Sequence, residues 1–78
     1  MIDLKTAYEI VCVENNGMKP ISCVELEKYY SFNVMPQIAN SSVHLVDKQT
    51  GEYKVAYFLL VVKEPILRRY EESDFDFK

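Results

Sequence analysis

The sequence predicts an α+β domain in which one N-terminal helix packs on a four-stranded antiparallel meander, followed by a short C-terminal helix or tail. Two observations support this fold class. Apolar residues recur at helical spacing near the N-terminus and alternate with polar residues further along. Between two β-type runs, Asp47 and Thr50 can bond the local backbone and Gly51 takes positive φ without steric cost. The chain is therefore expected to reverse at residues 47–51 as a hairpin.

The predicted helix covers residues 3–15. Asp3 can cap its N-terminus. Asn15 and Gly17 tolerate the left-handed geometry that ends a helix, and Pro20 prevents its continuation. Between these limits, apolar side chains recur on one face, which consists of Leu4, Ala7, Tyr8, Val11 and Cys12.

Pro36 ends the second predicted strand, because proline offers no backbone donor to a sheet. Pro65 interrupts the chain after the last strand and suits the first position of a short helix near residues 66–70. The acidic end that follows is expected to fray, so residues 63–78 form the tail of a single domain spanning 1–78. The predicted strands cover about residues 21–26, 29–35, 42–46 and 53–62.

Size and composition limit the classes of function. A chain of 78 residues, 49% of them apolar, fits one folded domain. Its net charge of −3 gives no basic footprint for phosphate backbones, so we expect no nucleic acid partner. The longest apolar run, Val55 to Val62, is far shorter than the ~20 residues that cross a bilayer as a helix, and the N-terminus has no export-signal pattern. We therefore expect a soluble cytoplasmic protein with no membrane partner.

Side chains that could bind a metal or act as nucleophiles are few. His44 is the only histidine and no Cys-x-x-Cys motif is present, so we expect neither a metal site nor another cofactor. Cys12 and Cys23 are interpreted as reduced structural thiols. Cys23 or Ser22 beside His44 would be the nucleophile of a catalytic site, but no nucleophile motif surrounds them.

Three carboxylates near predicted turns are the remaining candidates for chemistry. Glu25 and Glu27 lie where a strand leads into a turn, and Asp47 has a turn role. We interpret them as solvated charges rather than as an acid–base pair. Together with the lack of a nucleophile motif, this predicts a protein that is not an enzyme.

The last predicted strand is apolar on both faces, which is unusual for a half-buried strand. One helix covers only one face of a sheet, so the other face needs the C-terminal segment, a second copy in a homodimer, or another protein. The two faces carry Tyr57, Leu59 and Val61 on one side, and Ala56, Phe58, Leu60 and Val62 on the other. We predict that the residues in contact with a partner are Tyr57, Leu59 and Val61, with Tyr30 and Phe32 as neighbours.

The order of these segments resembles the PepSY domain over about residues 3–54. Residues 7–10 match the family's Ala-x-x-Ile helix, and residues 46–52 match its Val-Asp-x-x-Thr-Gly-Glu hairpin. PepSY domains are mostly exported or membrane-attached bacterial modules, often found beside metallopeptidases and suspected of inhibiting or chaperoning them. We expect neither an attached enzyme nor a membrane segment here, so the resemblance bears on the fold more than on the function.

The chain also resembles small helix-plus-meander proteins that serve as bacterial immunity or phage-borne accessory proteins. Both resemblances imply a non-catalytic protein–protein interaction module. Such a module would be an inhibitor or regulatory accessory protein of bacterial or phage origin, acting on another protein or pairing with itself. The alternative is a domain that binds a small ligand or a peptide in the cleft between helix and sheet. The surfaces that the fold leaves open distinguish these hypotheses.

Overall fold

An N-terminal helix packs on one face of a five-stranded antiparallel sheet, which confirms the α+β class. A computed structural model describes residues 1–34, 42–57 and 65–77. Its elements in chain order are the helix α1 (Leu4–Glu14), the strands β1 (Pro20–Leu26), β2 (Tyr29–Val34), β3 (Ser42–Asp47), β4 (Tyr53–Tyr57) and β5 (Ile66–Glu71), and a 3-10 turn (Glu72–Phe75).

The helix α1 forms where the sequence predicts it. The Oδ1 atom of Asp3 accepts a hydrogen bond from the N–H of Thr6 at 2.9 Å, which satisfies a backbone donor at the helix N-terminus. Val11 is fully buried on the face that meets the sheet. Beyond the helix end, Gly17 takes a φ of 85° and donates its N–H to the carbonyl of Cys12 at 2.7 Å.

The sheet order is β4-β3-β2-β1-β5, and all neighbouring strands are antiparallel. The strands β1 to β4 form the predicted meander. Because β5 pairs with the other side of β1, the edges of the sheet formed by the described residues are β4 and β5. The last strand of the meander was predicted to reach residue 62; β4 is described as far as Tyr57, and residues 58–62 lie outside the described residues.

The C-terminal segment differs from the prediction, because residues 66–71 form a strand rather than a short helix. The helical interpretation followed from Pro65 and the local side chains. However, β1 would otherwise be an edge whose backbone groups lack partners within the sheet. Pairing with β5 supplies those partners, and it sets Tyr70 opposite Cys23 beside the helix-covered core. A non-local hydrogen-bond requirement therefore overrides the local preference.

The acidic tail is packed rather than frayed. Phe75 is 8% exposed, and its ring centre lies 5.0 Å from that of Tyr8 and 6.1 Å from that of Phe32. The Oδ2 atom of Asp74 accepts the N–H of Glu71 at 2.8 Å and so helps to close the 3-10 turn. The many carboxylates of this segment predict solvation, but the burial of one aromatic ring beside α1 is enough to fix its position.

Apolar clusters occupy both faces of the sheet. Because side chains alternate along a strand, Leu45 faces away from the side that Val46 shares with α1. On that second face, Leu26, Val43 and Leu45 are only 2%, 4% and 2% exposed. The single chain therefore buries this part of the second face, which is not an open contact surface. The helix-covered cluster consists of Ala7, Val11, Cys23, Tyr30, Phe32, Val34, Val46 and Phe75.

Replacement of the buried tail ring tests whether the tail belongs to the core. We expect Phe75→Ala to lower the free energy of unfolding by about 3 kcal/mol, since a large buried side chain is lost and a cavity is left beside Tyr8 and Phe32. Leu67→Ala is the control, because Leu67 is 58% exposed and its truncation should change stability by less than about 1 kcal/mol. Urea denaturation followed by circular dichroism measures both; equal effects would show that the tail adds nothing to the core.

Candidate functional site

The most unusual polar feature of the molecule is a lysine that is buried beneath the helix-covered face. Lys48 follows β3, and its Nζ atom lies 2.6 Å from Oε2 of Glu25 on β1. The hydroxyl of Tyr70 on β5 donates to the other oxygen, Oε1, at 2.9 Å. The same ammonium lies 5.1 Å from the ring centre of Tyr30. We call these four residues the Glu25 cluster.

The turn after β3 explains why this lysine points inward. The Oδ1 atom of Asp47 accepts the backbone N–H groups of Gln49 and Thr50 at 2.7 and 3.0 Å, which confirms the predicted turn role of Asp47. The backbone of Lys48 is fixed on both sides. Its N–H donates to the carbonyl of Lys28 at 2.9 Å, and its carbonyl accepts the N–H of Ile2 at 2.8 Å. The tethered backbone directs the side chain into the interior, where it is only 5% exposed.

The protonation states of the Glu25 cluster favour a structural role. The hydrogen bond from Lys48 lowers the pKa of Glu25, even though desolvation opposes this change. Burial, followed by the hydrogen bond to Glu25, raises the pKa of Tyr70 to about 12. The phenol therefore remains a donor and the carboxylate remains ionised near neutral pH. Both oxygens of Glu25 have partners, so neither is left to take a proton from a substrate.

Sequence reasoning missed this cluster and interpreted Glu25 as a solvated charge. Its side chain is 21% exposed and paired, so that interpretation is corrected. A lysine between Asp47 and Gly51 carries no local signal of burial, because turn residues normally project into water. Glu27, the third carboxylate considered, is exposed in the turn between β1 and β2, as predicted.

The residues considered as a nucleophile, Cys23 and Ser22, are not in contact with His44. Cys23 is 1% exposed, and burial raises the pKa of its thiol to about 12, so it stays a thiol near neutral pH. Cys23 pairs with Phe32, and Phe32 pairs with His44 on the next strand. Two strand spacings separate Cys23 from His44, or about 10 Å. The side-chain oxygen of Ser22 instead accepts a hydrogen bond from Asn33 at 2.9 Å.

His44 has a structural partner on the neighbouring strand. Its Nδ1 atom lies 2.7 Å from the hydroxyl of Tyr53, and the two rings stack with centres 5.9 Å apart. The amide of Asn15, at the C-terminal end of α1, donates to the same hydroxyl at 3.4 Å. Burial lowers the pKa of His44. Across residues 1–34, 42–57 and 65–77, no group of three or more potential ligands is arranged to hold a metal ion.

The predicted contact residues fall into two groups. Tyr30 and Phe32 lie in the helix-covered core, with 7% and 0% exposure, rather than on an outer face. Strand alternation correctly groups them on one face, but it does not tell which face the helix covers. Tyr57 is the last residue of β4 and pairs with Ser42. Leu59 and Val61 lie outside the described residues, so their contact role stays a prediction.

Apolar side chains are exposed along one flank of the molecule, where α1 meets β4. Val55 in β4 is 55% exposed, and Val13 in α1 is 77% exposed. Ile10 lies on the same side, because it packs against Gly51, which precedes β4 in the chain. Its Cδ1 atom is 3.7 Å from the position that a Cβ atom would take on Gly51. We call Ile10, Val13, Tyr53 and Val55 the β4 flank. An open groove of about 330 Å³ follows its helix side and is lined by Thr6, Glu9, Ile10, Val13 and Glu14.

Acid titration of stability tests the Glu25 cluster. The pKa of folded Glu25 lies below its ordinary value of 4.5, so its ionised form stabilises the fold fully above that pH. This stabilisation is lost as the pH falls through the lower folded pKa. We expect Glu25→Gln to lower the free energy of unfolding by about 2 kcal/mol at neutral pH and to have less effect near pH 3. Glu27→Gln is the control, and a pH-independent effect of Glu25→Gln would contradict the assignment.

Comparison with known proteins gave no match among protein-family models, curated proteins or solved structures. The resemblance to PepSY domains, carried by residues 7–10 and 46–52, therefore stays a prediction. Within the part of the chain that the structure describes, no helix has the length and apolar character needed to cross a membrane.

Proposed function

We propose that this chain is a non-catalytic protein–protein interaction module that binds its partner through the β4 flank. The observation that carries the proposal is the exposure of Val55, at 55%, in the middle of an edge strand. On the resemblance predicted from residues 7–10 and 46–52, the chain would act as an inhibitor or a regulatory accessory protein of bacterial or phage origin. Its place of action would be the cytoplasm.

The energetics of an exposed edge support this choice. Within the described residues, β4 pairs only with β3, so its outer backbone groups face away from the sheet. An edge strand of this kind pairs readily with an added strand. Full burial of an apolar side chain such as Val55 or Val13 contributes roughly 1.5–3 kcal/mol. A partner on the β4 flank would therefore gain both backbone hydrogen bonds and apolar contact.

The arrangement of the reactive side chains supports the non-catalytic part of the proposal. The thiol of Cys23 is buried, and Glu25 is held between Lys48 and Tyr70. His44 is engaged with Tyr53. In the described part of the chain, Cys23 and Glu25 lie on β1, away from the β4 flank. His44 lies opposite Val55 on the neighbouring strand, and its ring nitrogen is engaged by the hydroxyl of Tyr53.

A second candidate function is the binding of a peptide or small ligand in the helix-side groove. The lining of the groove favours it, since Ile10 and Val13 provide an apolar floor between Glu9 and Glu14. Such a ligand would be a short apolar segment with flanking basic groups, which the two carboxylates would attract. We expect Glu9→Lys to weaken the binding of such a ligand, measured by calorimetry, because it reverses a charge of the groove that attracts basic groups. A partner on the β4 flank, which does not include Glu9, should still bind. Equal loss of ligand binding and of partner binding would show that the ligand and the partner use the same site.

Photo-crosslinking in cells of the source organism tests the proposed interaction. We expect a benzophenone amino acid at position 55 to give severalfold more polypeptide adducts than the same amino acid at position 66. Ile66 is a matched control because it is 48% exposed on the opposite edge of the sheet. Circular dichroism verifies that both variants fold. The absence of any polypeptide adduct from position 55, or equal yields at both positions, would contradict a binding role for the β4 flank.

A further inference from the structure

We infer that the partner of β4 is a second copy of this chain, paired antiparallel through β4 about a twofold axis at Val55. This inference rests on the proposed function, because it names the occupant of the same edge. The result would be a continuous sheet of ten strands, formed from two sheets of five. Three independent features of β4 point to this arrangement: its outward backbone groups, its side-chain register, and the contrast with β5.

The hydrogen bonding of the β3–β4 hairpin identifies the outward backbone groups. The N–H of Asp47 donates to the carbonyl of Glu52 at 2.9 Å, so these two residues form a hydrogen-bonded pair. Alternation along an antiparallel ladder then directs the N–H and C=O groups of residues 54 and 56 toward β3. The groups of Tyr53, Val55 and Tyr57 point the other way. A strand added at this edge must bond to these three residues.

A twofold axis at Val55 pairs those three residues with the same three residues of the second copy. It sets Val55 opposite Val55, Tyr53 opposite residue 57, and residue 57 opposite Tyr53. All three pairs are then hydrogen-bonded pairs, each of which exchanges both of its bonds, so about six new backbone hydrogen bonds form. No one-residue adjustment is needed. The outward groups of β4 are therefore self-complementary in this register.

The side chains allow this register as well. Aligned pairs in a sheet are destabilised by like charges that lie directly opposite each other. Lys54 is the only charged residue of β4, and the axis sets it opposite Ala56 of the second copy. Its Nζ atom lies 4.9 Å from the ring centre of Tyr29 on its own sheet. The pair at the axis is Val55 with Val55, a β-branched pair suited to a sheet.

The other edge of the sheet lacks this self-complementarity. The twofold registers that use most of β5 are centred on Arg68 or Arg69, and each places an arginine opposite its own copy. Both arginines are exposed. Charged residues on an edge strand oppose its pairing with another chain. Self-association is therefore disfavoured at β5 and favoured at β4.

The helix side of the β4 flank extends the contact. A second β4 would lie beside the first, on the side where Val13 is 77% exposed and Ile10 lies near Gly51. Val55 of the added strand, together with the other apolar side chains on that face, would approach this part of α1. The pairing would thus remove Val55 and part of Val13 from water, which drives association beyond the hydrogen bonds.

Sedimentation equilibrium over a wide concentration range tests the inference. We expect the native chain to approach twice its 9.1 kDa mass at high concentration. Val55→Lys should raise the dissociation constant more than about tenfold, because it sets like charges opposite each other at the axis. Val55→Pro should act similarly, because it removes an outward donor and leaves the pairing with β3 intact. Val55→Thr and Leu67→Glu are the controls that should still dimerise, and circular dichroism verifies the fold of every variant.

Disulfide trapping defines the register independently. The Cα atoms of a hydrogen-bonded antiparallel pair lie about 5.5 Å apart, within the range that a disulfide spans. In a Cys12→Ser background, we expect Val55→Cys to form a covalent dimer on mild oxidation. Ala56→Cys is the control: residue 56 faces residue 54 of the second copy, so this variant should form no covalent dimer. Equal trapping at both positions would overturn the register.

The outcomes separate the two proposals. A native chain that is monomeric at all concentrations overturns self-pairing; if position 55 still crosslinks to another polypeptide, the interaction module stands with a foreign partner. A dimer that survives Val55→Lys and Val55→Pro but dissociates with Leu67→Glu also overturns the inference. If position 55 gives no polypeptide adduct and the chain is monomeric, both proposals fail.

Discussion

The buried ion pair between Lys48 and Glu25 is the constraint on which the rest of the structure depends. The ammonium of Lys48 is only 5% exposed. Without a carboxylate partner, its burial would cost several kcal/mol, which is comparable to the whole net stability of a domain this small. The turn after β3 must therefore close while β1 is in place. Tyr70 donates to the same carboxylate, so β5 is held by the same requirement.

This constraint makes the two edges of the sheet unequal. On one side, Tyr70 and Phe75 fix β5 and the tail against β1 and α1, and two arginines on that strand disfavour further pairing. On the other side, the described part of β4 is paired with β3 alone. Val55 lies in the middle of that strand. Because the β5 edge disfavours further pairing, the β4 edge is the surface where a further strand can add.

Local chemistry determines how much of this could be predicted from the sequence. The helix and the turn at residues 47–51 are predictable, because caps, spacing and Gly51 act within a few residues. The strand β5 and the burial of Lys48 are not, since both depend on contacts with β1 that no local pattern encodes. Tyr30 and Phe32 show the same limit: alternation groups them on one face, but only the position of α1 decides that this face is buried.

The anchoring of β4 explains how a strand of five residues can serve as a contact surface. On the helix-covered face, the hydroxyl of Tyr53 lies 2.7 Å from His44 and also accepts the amide of Asn15. On the opposite face, Lys54 lies over the ring of Tyr29. The strand is thus held from both sides before any partner arrives, so little conformational entropy is lost when its outward groups are bonded. A short edge can therefore support association that a mobile segment of equal length could not.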